Sequence, residues 1–298
     1  MVRLDFSIEL TYEVLDEACE FIFNIHPAIT QCQQVVSESW SINQSVQPQV
    51  FTQQVDGTRC MRLRGNAGPL VVRYEGVLDL VHIEAEPGDL EEIGVGDLPL
   101  DVISYIYPSR YCQSDRFREL ANKEFGNMTP GYTRVQAIQD WVKQRTKFTS
   151  GSSAESTSAV DTLTDQAGVC RDFTHLMIAM CRALNIPARF VSGIDYGSDP
   201  ALGPTDFHAY VEVYLSGRWY LFDPSGLCPT MGLMRLGTGR DAADVSFATV
   251  FGSVTSSAAL IAIEASLDAE KGFMLPVHQA KVLSTADTPV TNYLRVSD

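Results

Sequence analysis

The sequence has no apolar run approaching the ~18 residues a membrane-crossing helix requires. Its opening, MVRLDFSIELTYEV, alternates charged and apolar side chains and holds no continuous apolar core. That pattern predicts neither a secretory signal nor a lipid anchor. Positive charge is scarce: 22 basic against 37 acidic residues give a formal charge of -15. Such a chain is a poor partner for nucleic acid or an anionic membrane. A basic or amine-bearing substrate is compatible with it, although solubility alone also accounts for the acidity. Paired cysteines are missing too. Cys19, Cys32, Cys60, Cys112, Cys170, Cys181 and Cys228 are scattered, odd in number and without a CxxC. This argues against a disulfide framework or a zinc site and predicts a cytoplasmic protein. There is no internal repeat and no low-complexity tract. Gly237-Thr238-Gly239-Arg240 lacks the GK[ST] ending and following helix of a phosphate loop.

What is present is a chain of 298 residues, 45% hydrophobic, long enough for two domains. From Arg3 to Val14, apolar Leu4, Phe6, Ile8, Leu10, Tyr12 and Val14 alternate with polar partners, the period of a half-buried strand. Strand-like runs follow at Phe21 to Ile25, Arg59 to Arg64 and Val71 to Ile83, which predicts an antiparallel β-sandwich over residues 1–97. Residues Glu86 to Asp97 are acidic, glycine-bearing and aperiodic, as a linker would be. Helical patterns then run from Asp115 to Phe125 and from Thr133 to Lys147, and a Ser/Thr/Gly-rich loop spans Thr149 to Ser158. Phe173, Leu176, Met177, Met180, Cys181 and Leu184 recur at helical spacing, and Asn185-Ile186-Pro187 stops that helix. Strands are expected at Ala188 to Ile194, Phe207 to Leu215 and Arg218 to Phe222. The fold class is α+β, with residues 98–298 as the second domain and a tail after about 252 of no evident role.

Cys170 stands at the first turn of the apolar-faced helix, where the helix dipole favours an anion. Ser216-Gly217 is a two-residue hairpin turn, so Leu215 opposes Arg218 and Asp223 faces Tyr210. His208, two residues before Tyr210, then becomes a diagonal neighbour of Asp223 on one sheet face, roughly 7–8 Å away at Cα. A carboxylate fixes an imidazole's tautomer, and an imidazole activates a thiol: Cys170, His208 and Asp223 carry the residue types of an activated cysteine nucleophile. Each residue also has a plain structural reading, as a buried thiol, a hydrogen-bonded sheet histidine and a strand-ending Asp-Pro turn. Nothing in the sequence places the Cys170 helix against His208.

Other candidates are weaker. His175 lies about 140° around the helix from Cys170 and fits a structural role, bonding a loop carbonyl. Asp172 suits capping, Tyr210 suits either site lining or packing, and Cys181 suits the core. Cys228 follows the hairpin without an assignable task. Cys170, Asp172, His175 and His208 could ligate a metal, but their spacings match no metal motif, so neither metal nor cofactor is expected.

The segments Gly168-Val169-Cys170-Arg171-Asp172-Phe173-Thr174-His175-Leu176, Ile186-Pro187-Ala188-Arg189, Phe207-His208-Ala209-Tyr210-Val211-Glu212-Val213 and Phe222-Asp223-Pro224 resemble the bacterial transglutaminase-like cysteine peptidases. The likeness extends to Tyr107-Pro108-Ser109-Arg110-Tyr111-Cys112 and Gly239-Arg240-Asp241-Ala242-Ala243-Asp244-Val245, and covers about residues 1–250. It implies a papain-related core with Cys170 as nucleophile, His208 as general base and Asp223 orienting His208. Arg171 and the loop from Tyr196 to Asp206 depart from the usual pattern. The backbone N–H of Cys170, with Gln166 or Trp141, is a candidate oxyanion donor. The expected activity is hydrolysis of an amide or isopeptide bond in a peptide or other amide substrate. The alternatives are acyl transfer to an amine and a non-catalytic binding module.

Overall fold

The computed structural model describes residues 1–199, 201 and 204–286. Part of the loop from Tyr196 to Asp206 and the end of the tail, residues 287–298, lie outside the described residues.

The alternating N-terminal residues form β1 (Val2–His26), which pairs antiparallel with β4 (Arg59–Leu80) along almost its whole length. Between them in the chain, β2 (Gln33–Ile42) and β3 (Gln49–Thr52) add to the far side of β4. The register of β1 on β4 shifts between Val14 and Ala18, and burial there changes phase, from Leu10, Tyr12 and Val14 to Cys19, Phe21 and Phe23. On β4 the same corner carries Gly68 at φ 100°, a backbone region that favours glycine. Both strands run unbroken through the corner. The expected sandwich is therefore one continuous seven-stranded sheet bent over its own apolar face, not two separate sheets.

Beyond the short β5 (Ile83–Ala85), the expected linker is pinned. Glu92 pairs with Arg134 and accepts the Gly131 N–H at 2.9 Å. The helical patterns become α1 (Arg118–Phe125) and α2 (Tyr132–Arg145). A two-residue parallel pair, β6 (Lys147–Phe148) and β7 (Ala167–Gly168), brackets α3 (Ala159–Asp165). The amphipathic run is α4 (Cys170–Ala183). After it, β8 (Ala188–Asp195), β9 (Phe207–Leu215), β10 (Arg218–Phe222) and β11 (Leu233–Gly239) form an antiparallel sheet in the order β10-β9-β8-β11. Phe173, Leu176 and Met177 of α4 pack with Ala209, Val211 and Val213 on one face of this sheet. Val191, Tyr210 and Leu233 on the other face share a core with the inner face of the N-terminal sheet. The four-stranded sheet thus lies between the helices and the first domain.

One sequence expectation changes here. Residues after 247 do not extend the second domain: β12 (Ala248–Phe251), β13 (Val254–Ser256) and β14 (Leu260–Ser266) all pair with β1 and complete the N-terminal sheet. Last, β15 (Val282–Ser284) pairs with β5. The glycines of the 237–240 tract serve packing, because a Cβ on Gly237 would come within 2.7 Å of Thr58 and Val245 side chains. Among the described residues, no helix is long and apolar enough to cross a membrane.

His26, at the end of β1, is 1% exposed and packs against Tyr74 with ring centroids 4.5 Å apart and planes tilted by 57°, with neither ring nitrogen hydrogen-bonded. Burial, aided by the Arg59 guanidinium and only partly opposed by Glu38, pushes its pKa down to about 4 from 6.5. The fold therefore holds neutral imidazole, while the unfolded chain takes up a proton as pH falls through 6.5. Stability contributed above pH 6.5 is lost between 6.5 and 4, by about 3 kcal/mol at the acid end. His26→Phe is expected to flatten the pH dependence of the urea midpoint across this window.

Candidate functional site

The site begins where β7 delivers the chain into α4. Val169 caps the helix: its N–H donates to the Asp172 carboxylate at 2.8 Å, and the carboxylate also accepts the Ser153 hydroxyl at 2.9 Å. Asp172 is fully buried, and Gly168 is required beside it, since a Cβ there would come within 2.6 Å of the Asp172 Cβ. Arg171 donates to Ser153 Oγ and the Ala154 carbonyl, both at 2.6 Å. Its guanidinium anchors the 149–158 loop onto the helix start. Asp172→Ala removes an acceptor from two part-buried donors, and the expected loss is about 1 kcal/mol of unfolding free energy in chemical denaturation.

The hairpin keeps the expected register, Arg218 against Leu215 and Phe222 against Val211, with Ser216 at φ 46° and Gly217 at φ 82° in its turn. Nε2 of His208 consequently lies 3.5 Å from Asp223 Oδ1, and both side chains are about 97% buried. Asp223 is held in place by the Ser225 N–H at 3.0 Å, the Ser225 hydroxyl at 2.5 Å and the Leu227 N–H at 3.2 Å. Burial by itself would strip the proton from His208. The negative charge of Asp223 at 3.5 Å, and then the Cys170 thiol, instead hold its pKa well above the ordinary imidazole value. Burial likewise opposes ionisation of Asp223, yet His208 and the Ser225 donors keep its carboxyl below the usual carboxylate range.

Cys170 is half-buried, and its Sγ approaches the Phe207 carbonyl at 3.8 Å, one residue from His208. The meeting takes place at the end of the sheet. α4 packs across Ala209, Val211 and Val213, whereas the alternation of the strand puts His208 on the Tyr210 face. The thiol therefore reaches the imidazole past the start of β9, and the helix does not lie on the His208 face.

The remaining candidates fall into supporting places. His175 Nε2 accepts the Ala242 N–H at 3.2 Å, and the ring stacks on Tyr111. The role is structural as expected, with an amide donor in place of the expected carbonyl. Arg182, 2% exposed, bonds the carbonyls of Tyr107, Ala188 and Arg240 and the Ser109 hydroxyl, while Asp241 accepts the Tyr111 N–H at 2.9 Å. The segments 107–112 and 239–245 are thereby clamped to the far end of α4. Cys181 is core and Tyr210 is fully buried packing. Trp141 packs edge-on against Phe125 and under Arg145, and Gln166 turns the chain after α3 at φ 54°. Two neighbours of His208 escaped the sequence reading. Asp195 Oδ1 is 3.7 Å from Nδ1, and Cys228 Sγ is 3.9 Å from Asp223 Oδ2. Asp195 ends β8 on the strand adjacent to His208, so a β8–β9 register, had one been drawn, would have found it.

A thiol at a helix start beside a charged imidazole and a buried carboxylate defines a cysteine-dependent enzyme of the papain-related kind. Comparison with known proteins narrows this. Residues 118–224 match the transglutaminase-like superfamily, and residues 2–100 match the bacterial transglutaminase N-terminal domain. A crystal structure of a candidate cysteine protease from Cytophaga hutchinsonii is 36% identical, covers 95% of this chain and 97% of its own, and superposes with a TM-score of 0.87. Uncharacterized proteins from Mycobacterium leprae and Mycobacterium tuberculosis are 32% identical over 117 residues and 34% identical over 146. Those matches cover 38% and 44% of this chain, and 42% and 46% of the respective relatives, so the chain spans less than half of either. The chain belongs to the transglutaminase-like superfamily.

Proposed function

We propose that the protein is a cysteine-dependent hydrolase that cleaves an amide or isopeptide bond through a thioacyl intermediate on Cys170. The observation that carries this reading is the juxtaposition of Cys170, His208 and Asp223 at the end of one sheet. In the reaction, Cys170 Sγ, its proton held by His208, attacks the carbonyl carbon. The carbonyl oxygen becomes an oxyanion beside the backbone N–H at the start of α4. Collapse breaks the C–N bond as the leaving nitrogen takes the proton from His208. Water then attacks the thioester, His208 accepts its proton, and the acid is released with Cys170 restored. Asp223 holds the ring and compensates its charge throughout.

Acyl transfer to an amine shares the first half of this sequence and differs only in the second nucleophile. The choice depends on whether the site shields the thioester from water. The test is a glutamine-containing peptide and an isopeptide offered with and without a labelled primary amine, with products resolved by mass. Free acid as the main product with amine present supports the hydrolase, and incorporated amine supports the transferase. Turnover that persists in Cys170→Ala removes both. All seven cysteines are free thiols, which suits the reducing cytoplasm as the working compartment. The acidic chain favours a peptide or amide partner over nucleic acid or an anionic membrane.

A further inference from the structure

Cys228 has no part in the acyl chemistry, yet it is 3% exposed and faces the dyad. One ligand atom each from His208, Asp223 and Cys228 lie within 4.8 Å of one another, and all three residues are buried. A tetrahedral zinc-class ion takes nitrogen and oxygen at about 2.0–2.2 Å and sulfur at about 2.3 Å. Its ligands are therefore roughly 3.4 Å apart for a nitrogen–oxygen pair and about 3.6 Å for a sulfur–oxygen pair. The corresponding separations here are 3.5 Å, from His208 Nε2 to Asp223 Oδ1, and 3.9 Å, from Cys228 Sγ to Asp223 Oδ2. These two pairs are each within a few tenths of an ångström of a coordination spacing, and the third, His208 to Cys228, lies within 4.8 Å. Nε2 of His208, buried and 3.5 Å from its carboxylate, makes no hydrogen bond of ordinary length. The Ser225 and Leu227 donors orient Asp223 as outer-sphere partners orient a metal-bound carboxylate.

We propose that His208, Asp223 and Cys228 form a binding site for a zinc-class divalent cation, and that its occupancy silences Cys170. The thiolate, imidazole and carboxylate donors select a borderline-soft ion over magnesium or calcium. On binding, the Cys228 S–H bond breaks, its proton leaves to solvent and a sulfur–metal bond forms, with no change of oxidation state. The ion takes the ring nitrogen that faces Asp223 and the proton on that nitrogen also leaves to solvent, so His208 becomes a neutral ligand without its orienting carboxylate. The silencing depends on the acyl chemistry described above; the site itself does not.

The test uses Co2+, whose bond to a thiolate gives a near-ultraviolet charge-transfer band, added to the metal-free full chain. The band is expected in wild type, is retained in Cys170→Ala and is lost in Cys228→Ala. Zn2+ added afterwards abolishes it by displacement. Should Cys228→Ala fail to fold, His208→Ala serves in its place and should weaken Co2+ binding at least about tenfold while the thiolate band survives at saturation. No band at millimolar Co2+, or a band lost in Cys170→Ala and kept in Cys228→Ala, overturns the proposal. None of these readings requires turnover, so failure of the amide-cleavage reading would leave the metal result standing on its own.

Discussion

Cys170→Ala is expected to lower kcat/KM for an amide substrate by about four orders of magnitude or more. His208→Ala should cost a similar amount, and the double variant should be no worse than either single one, because nucleophile and base act as a unit. That non-additivity separates a working pair from two residues that merely support the fold. Without turnover, iodoacetamide and peptide mass mapping give the same information: the alkylation rate of Cys170 at neutral pH should fall at least about tenfold in His208→Ala. Equal rates in the two proteins would mean that the pair is not coupled. Asp223→Asn has a separable signature. Asp223 raises the pKa of His208, so removing its charge lowers that pKa. The alkaline limb of the pH–rate profile, where His208 gives up its proton, should then move to lower pH. A substitution that damaged only packing would lower the rate without moving that limb.

Glu212→Ala is expected to cost about 3–5 kcal/mol of stability, the largest effect of any single change away from the site. Glu212, on β9, is fully buried between two arginines. Arg189 Nε donates to it at 2.7 Å, Arg235 Nη1 approaches it at 3.4 Å, and the Thr285 hydroxyl donates at 3.3 Å. Arg189 also covers the Trp219 ring at 4.3 Å, and Arg235 donates to the carbonyls of Asp56 and Ala286. Removing this carboxylate takes an ion-pair partner from two buried guanidinium groups at the junction of the core sheet, the N-terminal domain and the C-terminal segment. Glu212→Gln preserves an acceptor and the shape, and should lose less. Guanidinium chloride midpoints of the three proteins measure the difference, and an unchanged midpoint in Glu212→Ala would refute the account.

Much of this molecule was legible as period and punctuation. The strict alternation from Leu4 to Val14 required a half-buried strand, and the three-and-four spacing from Phe173 to Leu184 required α4. Ser216-Gly217 fixed the hairpin register, and with it the neighbourhood of His208 and Asp223, because a two-residue turn leaves only one way to pair the strands it joins. The corner at Leu15 to Ala18 was not legible. Exposed polar residues there read as the end of a strand, although the backbone pairing carries on through the bend. The segments at Gln33–Ile42 and Leu260–Ser266 were missed for a related reason: they are edge strands with mixed exposure, whose partners are distant in the chain.

The sequence by itself determined the elements, the hairpin and two of the three residues that meet at the site, since each depends on neighbours within a few positions or one tight turn. Only the tertiary structure decided that Cys170 meets His208 past the end of the sheet, that Asp195 and Cys228 close around the same imidazole, and that residues 248–266 return to β1. It also decided that Glu212 lies between Arg189 and Arg235. Those pairings join residues tens to hundreds of positions apart. They are fixed by which apolar faces bury each other, and that long-range choice leaves no local period in the chain.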